Sequence, residues 1–465
     1  MGRARFICRG ADMTTNSLPS RKPLASADIA QAVQALEPYM VDSLDQLVRA
    51  ASPSGAETPA AMVAEELMLG LGLASERIVL QARALEHLPL YSPACCADGG
   101  RYNLLAIHAG GHGGRSVLFN GHLDVVPPGP EEMWRRPPYM PVVEDGWLYG
   151  RGAGDMKGGI VCALAAFKAL RALGVQPAGQ VGFNWVLEEE CTGNGTLASI
   201  VALRAATTGA ATGAMTGMLA RSRLGAFDAV LIPEPMGEQM IDAQVGVFWM
   251  QLTLTGRPAH AAMMSQGADP IAAGIAIIAG LRELEAEWNR PENRHPSYRE
   301  HPHPLNFNFG RIEGGEWTSS VPCQCRLDVR IGFYPDMAVD DAKAAVAARV
   351  HAALAPLGGG VQVEIRYQGF HAPGCSFDLD QPALQVLAAA HQQVHGSPVA
   401  RVATTATTDA RHFRLMLDSP VTCYGPEARD IHGIDEAVSL ASMSRVATTF
   451  ALFLQQWCGT EPVRG

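Results

Sequence analysis

No apolar run in the chain approaches the length of a transmembrane span. Positive charge is in deficit: 36 Lys and Arg stand against 46 Asp and Glu, a formal net charge of −10. That balance argues against nucleic acid or an anionic membrane surface as the main partner, and it suits a chain that gathers carboxylates around cations. The ten cysteines include no CxxC pair, and several, Cys162 and Cys423 among them, sit in apolar runs. They read as reduced packing residues of a cytoplasmic protein; for Cys191 and the Cys323/Cys325 pair a ligand or redox role is the alternative to burial, and burial is the favoured reading. The basic start has no sustained apolar core, which tells against a secretory signal. Residues 1–23 read as a disordered extension, with Met13 an alternative start.

What is present is a chain of 465 residues, 48% hydrophobic and 18% charged, which points to a well-packed globule of two domains. Strand-like runs ("NLLAIHA", "SVLFNGHLDVV", "QVGFNWVLEEE", "FDAVLIPEP") alternate with helical ones such as "GGIVCALAAFKALRALGV". The alternation predicts an α/β fold with a mainly parallel, doubly wound sheet. From residue 245 the texture changes. "VGVFWMQLTLTG", "CQCRLDVRIGFY" and "VQVEIRYQGF" alternate like antiparallel strands and are separated by two helices. A smaller α+β, ferredoxin-like domain is therefore expected at 245–367, inserted between catalytic parts at 24–244 and 368–465. The low-complexity stretch 204–222 and the polar loop 289–304 receive no role.

Polar residues collect where apolar strands end. His122 and Asp124 share one face of their strand because side chains alternate with period two. Asp155 lies in the glycine-rich turn "GRGAGDMKGG", whose glycine spacing fits neither common phosphate-loop pattern. Glu188, Glu189 and Glu190 end one strand, Glu234 ends another, and His432 and Glu436 follow the last. Adjacent carboxylates repel unless a cation or a raised pKa relieves them. The strand-end edge of an open α/β sheet is where ligands bind. Two histidines with three carboxylates suit two divalent ions, one carboxylate bridging, with a remaining glutamate as general base.

With these motifs assembled, the sequence resembles the di-zinc amidohydrolase and exopeptidase family, and most closely its acetylornithine deacetylase-like branch. "GHLDVVP", "GRGAGDMKGG", the "EEE" strand end, "PEP" and "HGIDE" occur in the family order. The resemblance implies Asp155 as the bridging ligand, His122 and Glu234 on one zinc, and Glu190 and His432 on the other. It implies Glu189 as the acid–base residue, Asp124 as the orienter of His122, and a cis peptide after Asp155. His260 matches a histidine that reaches the active site of a partner subunit, so the inserted domain is expected to serve as a lid and to form a homodimer. Arg330 matches a grip for a substrate carboxylate; its competing reading is an ion pair with Asp328. Ser319 stands where many relatives carry a substrate-holding asparagine.

The expected activity is hydrolysis of the amide bond of a small N-acyl amino acid, with zinc, cobalt or manganese as the metal. A dipeptidase or carboxypeptidase, or a deformylase of an N-formyl amine, is the alternative within the same chemistry. A nucleotide-binding oxidoreductase and a non-catalytic metal-binding protein are the rivals outside it.

Overall fold

The computed structural model describes residues 23–111, 113–208 and 227–463. The expected N-terminal extension lies outside the described residues but for Pro23, and so does most of the 204–222 stretch; its first residues end the helix Asn194–Thr208. No helix among the described residues is long and apolar enough to cross a membrane.

Six strands form the central sheet, in the order Ser75–Val79, Tyr102–His108, Val181–Val186, Val117–His122, Val230–Ile232 and Val421–Cys423. The first two pairings are antiparallel and the remaining three parallel. The sheet is thus mixed, and its parallel half supplies the strands that end in His122, the glutamate triplet and the turn to Glu234. Both the Val117–His122 and Val181–Val186 strands are buried at every position, which is why they read as near-continuous apolar runs rather than alternating ones. Phe119 and Phe183 stack between them with ring centroids 5.8 Å apart. The helix Gly158–Ala172 is apolar on nearly all sides and buried accordingly. Its first turn presses on the loop after Ile232: a Cβ at Gly159 would lie 1.8 Å from the carbonyl oxygen of Pro233.

A second sheet is wholly antiparallel, in the order Phe307–Gly314, Gln324–Phe333, Gly246–Thr255 and Gln362–Ala372. Its last strand continues past the expected boundary at 367. Phe248, Met250, Leu252, Leu327, Val329 and Ile331 pack against the helices Pro270–Trp288 and Val339–Leu354 in a core of their own. By the period-two rule the intervening residues, Trp249, Gln251, Arg326, Asp328 and Arg330, belong to the opposite face. The 289–304 loop is anchored rather than free: Tyr298 is fully buried, and its hydroxyl donates to the Thr404 carbonyl at 2.8 Å.

Candidate metal centre and substrate cavity

Three of the five predicted ligands arrive directly from strand ends of the parallel half-sheet, and the other two from turns beside it. His122 closes its strand with its imidazole 1% exposed. Asp155 comes from the glycine-rich turn before the helix Gly158–Ala172. That turn needs Gly152, whose φ is +80° and whose Cβ would meet the Val125 side chain at 2.4 Å. The peptide after Asp155 is cis, as the resemblance implies. Glu436 holds the turn from beneath: its Oε1 accepts from the amides of Gly154 and Asp155 at 3.0 and 2.9 Å, and its other oxygen meets the buried Arg151.

The two oxygens of Asp155 face two imidazoles. Oδ1 lies 3.1 Å from Nε2 of His122 and Oδ2 lies 3.2 Å from Nε2 of His432. Nε2 of His432 is also 3.1 Å from Glu190, and Nε2 of His122 is 3.8 Å from Glu234. Donor atoms of His122, Asp155 and Glu190 all fall within 4.8 Å of one another. Two imidazoles and three carboxylates converging on one point form a donor set suited to divalent ions.

The electrostatics point the same way. Burial and the charges of Asp155, Glu190 and Asp409 push Glu234 well above the ordinary carboxylate range, although His122 opposes them. Burial alone would lower His122, yet the Asp155 hydrogen bond and the charges of Glu234 and Glu189 hold it well above its usual value. His432, likewise lowered by burial, is carried up to about 11 by Glu190 and Asp155. Asp155 is held below the ordinary range by the two imidazoles despite its burial. Crowded carboxylates in a dry site favour any cation they can reach.

The three adjacent glutamates point three ways. Glu188, with left-handed backbone at φ +63°, turns away to the buried Arg101, which also pairs with Glu57 at 2.9 Å. Glu190 meets His432. Glu189 faces the cavity with Oε1 free of any hydrogen-bond partner among the described residues, and burial, with the charges of Asp409, Glu234 and Glu190, raises its carboxyl well above the usual range against the pull of His122.

Asp124 acts differently from expectation. The bond from Nδ1 of His122 goes to its main-chain carbonyl at 2.8 Å, while its carboxylate stands 3.7 Å away. That carboxylate instead accepts the amides of Glu189 and Glu190, each at 3.1 Å. Asp124 therefore holds His122 through its backbone and the glutamate turn through its side chain.

A cavity of about 550 Å³ opens between this cluster and the polar face of the second sheet. Glu189, Glu190 and His432 line one wall and Trp249, Gln251, Asn308 and Arg330 the other. The ion pair of Arg330 with Asp328 is not formed, because Asp328 is taken by Arg326 at 3.3 Å and Gln251 at 2.9 Å. Arg330 has no ion-pair partner among the described residues, and burial lowers its pKa. His260 and Ser319 do not line this cavity. Both are exposed in adjoining loops, with the Ser319 carbonyl accepting from Ala261 at 3.0 Å, and Met263, Met264 and Trp317 lie uncovered beside them. Arg101 and Trp249 were not anticipated as parts of the site's frame, and Glu436 was noted beside His432 without its hold on the Asp155 turn; only the alternation of the 246–255 strand hinted at Trp249.

The sequence description of peptidase family M20/M25/M40 matches residues 118–456. An N-formyl-4-amino-5-aminomethyl-2-methylpyrimidine deformylase from Bacillus subtilis (strain 168) is 27% identical over 369 residues, covering 74% of this chain and 79% of the relative. A succinyl-diaminopimelate desuccinylase from Methylobacterium sp. (strain 4-46) is 29% identical over 367 residues, 76% of this chain and 83% of that one. Among solved structures, human carnosine dipeptidase 1 superposes with a TM-score of 0.73 at 17% identity, over 94% of this chain and 100% of the other, which speaks for the fold. Since the matched span runs through every strand end and turn from His122 to His432, the chain belongs to peptidase family M20/M25/M40 and is a hydrolase of amide bonds.

Proposed function

We propose that the protein hydrolyses the amide bond of a small N-acyl amino acid at a dinuclear metal centre, in the manner of an acetylornithine deacetylase. The carrying observation is the carboxylate of Asp155, whose two oxygens each meet a different imidazole. Asp155 would bridge the ions, His122 and Glu234 would hold one, and Glu190 and His432 the other. Zinc fits this borderline donor set, as do cobalt and manganese. When bound, such a pair supplies Lewis acidity and a water of lowered pKa.

The chain's own residues supply the proton traffic. Glu189 takes a proton from the attacking water and passes it to the leaving nitrogen; its raised carboxyl suits both tasks at neutral pH. Asp124 keeps the turn carrying Glu189 and Glu190 in place. Arg330, on the opposite wall and without an ion-pair partner among the described residues, offers a planar fork to a substrate carboxylate. Residues 245–367 would act as the lid and dimer-forming domain between parts 24–244 and 368–465. The partner subunit's His260 would stabilise the oxyanion, and Ser319, in the adjoining loop, would contact substrate across the same interface. The uncovered Met263, Met264 and Trp317 beside these loops support that reading.

A second reading, removal of an N-formyl group from an amine without a carboxylate, is favoured by the similarity to the Bacillus subtilis deformylase. Arg330 separates the two. A hydrolysis screen of N-acetyl, N-succinyl and N-formyl amino acids, dipeptides and N-formyl amines, run on wild type and Arg330→Ala, is the test. Acyl amino acids should be the best substrates, with Arg330→Ala lowering their kcat/KM by about 10- to 100-fold, the 1.5–3 kcal/mol expected of a charged hydrogen bond. Preference for a carboxylate-free amine, with Arg330→Ala silent, would favour deformylation instead.

A further inference from the structure

Three cysteines meet at the edge of the cavity. Cys95 and Cys96 sit in the loop ahead of the strand Tyr102–His108, and Cys191 directly follows Glu190. Their Sγ atoms all lie within 4.8 Å of one another. None forms a disulfide. Cys191 is buried and the other two half-buried, and Cys95 itself lines the cavity.

Packing alone does not account for this arrangement. A thiol is a weak hydrogen-bonding group, and besides the other two thiols the Cys191 Sγ meets the Glu188 carbonyl only at 4.0 Å. Three such groups brought together from segments about a hundred residues apart gain little from mutual contact. They gain much from a shared soft cation. With metal–sulfur bonds near 2.3 Å, three thiolates around one tetrahedral ion stand roughly 3.8 Å apart, inside the span observed here. A fourth position would remain, and Cys95 opens the cluster to the cavity, so an ion has a way in.

We propose that Cys95, Cys96 and Cys191 form a separate site for one thiophilic d¹⁰ cation such as zinc, cadmium or copper(I), in the wall of the substrate cavity. Its all-sulfur donors differ from the imidazoles and carboxylates of the neighbouring cluster, so the two sites select different ions. On binding, each coordinating thiol releases its proton to solvent and forms a sulfur–metal bond, and no electron is transferred. This site does not depend on the hydrolytic reading.

The test is a titration of the zinc-loaded, thiol-reduced enzyme with cadmium. The ultraviolet thiolate-to-cadmium charge-transfer band and the ions bound per chain are followed together. The hydrolytic cluster contains no sulfur, so that band reports cysteine ligation alone. Wild type should show the band saturating at one equivalent. Cys96→Ser should weaken cadmium binding roughly tenfold or more and lose most of the band while still hydrolysing substrate. Cys323→Ser, at an exposed cysteine elsewhere, should match wild type. Absence of the band in wild type, or an undiminished band in Cys96→Ser, would overturn the proposal.

Discussion

Glu189 is buried beside His122, Asp409, Glu234 and Glu190, and one of its oxygens has no hydrogen-bond partner among the described residues. A buried carboxyl without a partner costs stability, which fits the proton-transfer role proposed for Glu189. Glu189→Gln keeps the shape and removes the base. We expect kcat to fall about 10²- to 10⁴-fold while metal content by mass spectrometry stays at the wild-type value. Near-normal turnover in that variant would take the acid–base role from Glu189. The convergence of His122, Asp155, Glu234 and His432 was legible because strand alternation and strand ends are local signals. Which of three adjacent glutamates did what was not, since Glu188 is diverted by Arg101, whose approach no local pattern encodes.

At the level of elements, the site is assembled by turns that cost energy to hold. Glu188 and His432 adopt left-handed backbone at φ +63° and +61°, at about 1–3 kcal/mol each. Buried side chains offset this. Glu436 receives two amides of the Asp155 turn and neutralises Arg151, each partner being 1% exposed. Glu436→Ala should destabilise the protein by about 3–5 kcal/mol, because it leaves Arg151 buried and unpaired. Denaturant unfolding measures that loss, and a change below 1 kcal/mol would deny Glu436 this part. Most strands of the sheet were legible from apolar runs, but Ser75–Val79, half-exposed and short, was not read as one, and direction was not legible: Tyr102–His108 pairs antiparallel on both sides although it reads like the rest. Arg101, the cysteine cluster and the bracing part of Glu436, itself noticed beside His432, escaped for a related reason, since each joins segments distant in sequence.

For the whole molecule, the polar face of the second sheet closes one side of the cavity while His260 and Ser319 are exposed outside its lining. If His260 serves a neighbouring subunit, two defective chains should complement each other. His260→Ala and Glu189→Gln homodimers should each be impaired, and the purified heterodimer should recover roughly half of wild-type activity, since one of its two sites is complete. No recovery would confine His260 to its own chain.

The dinuclear centre itself is tested most directly by anomalous scattering at the zinc edge from crystals of the zinc-loaded protein. Within this cluster, and apart from any peak at Cys95, Cys96 and Cys191, we predict two peaks roughly 3.5–4 Å apart, with the carboxylate of Asp155 between them, one beside His122 and Glu234 and the other beside Glu190 and His432. A single peak in the cluster, or a pair there not spanned by Asp155, would contradict the account.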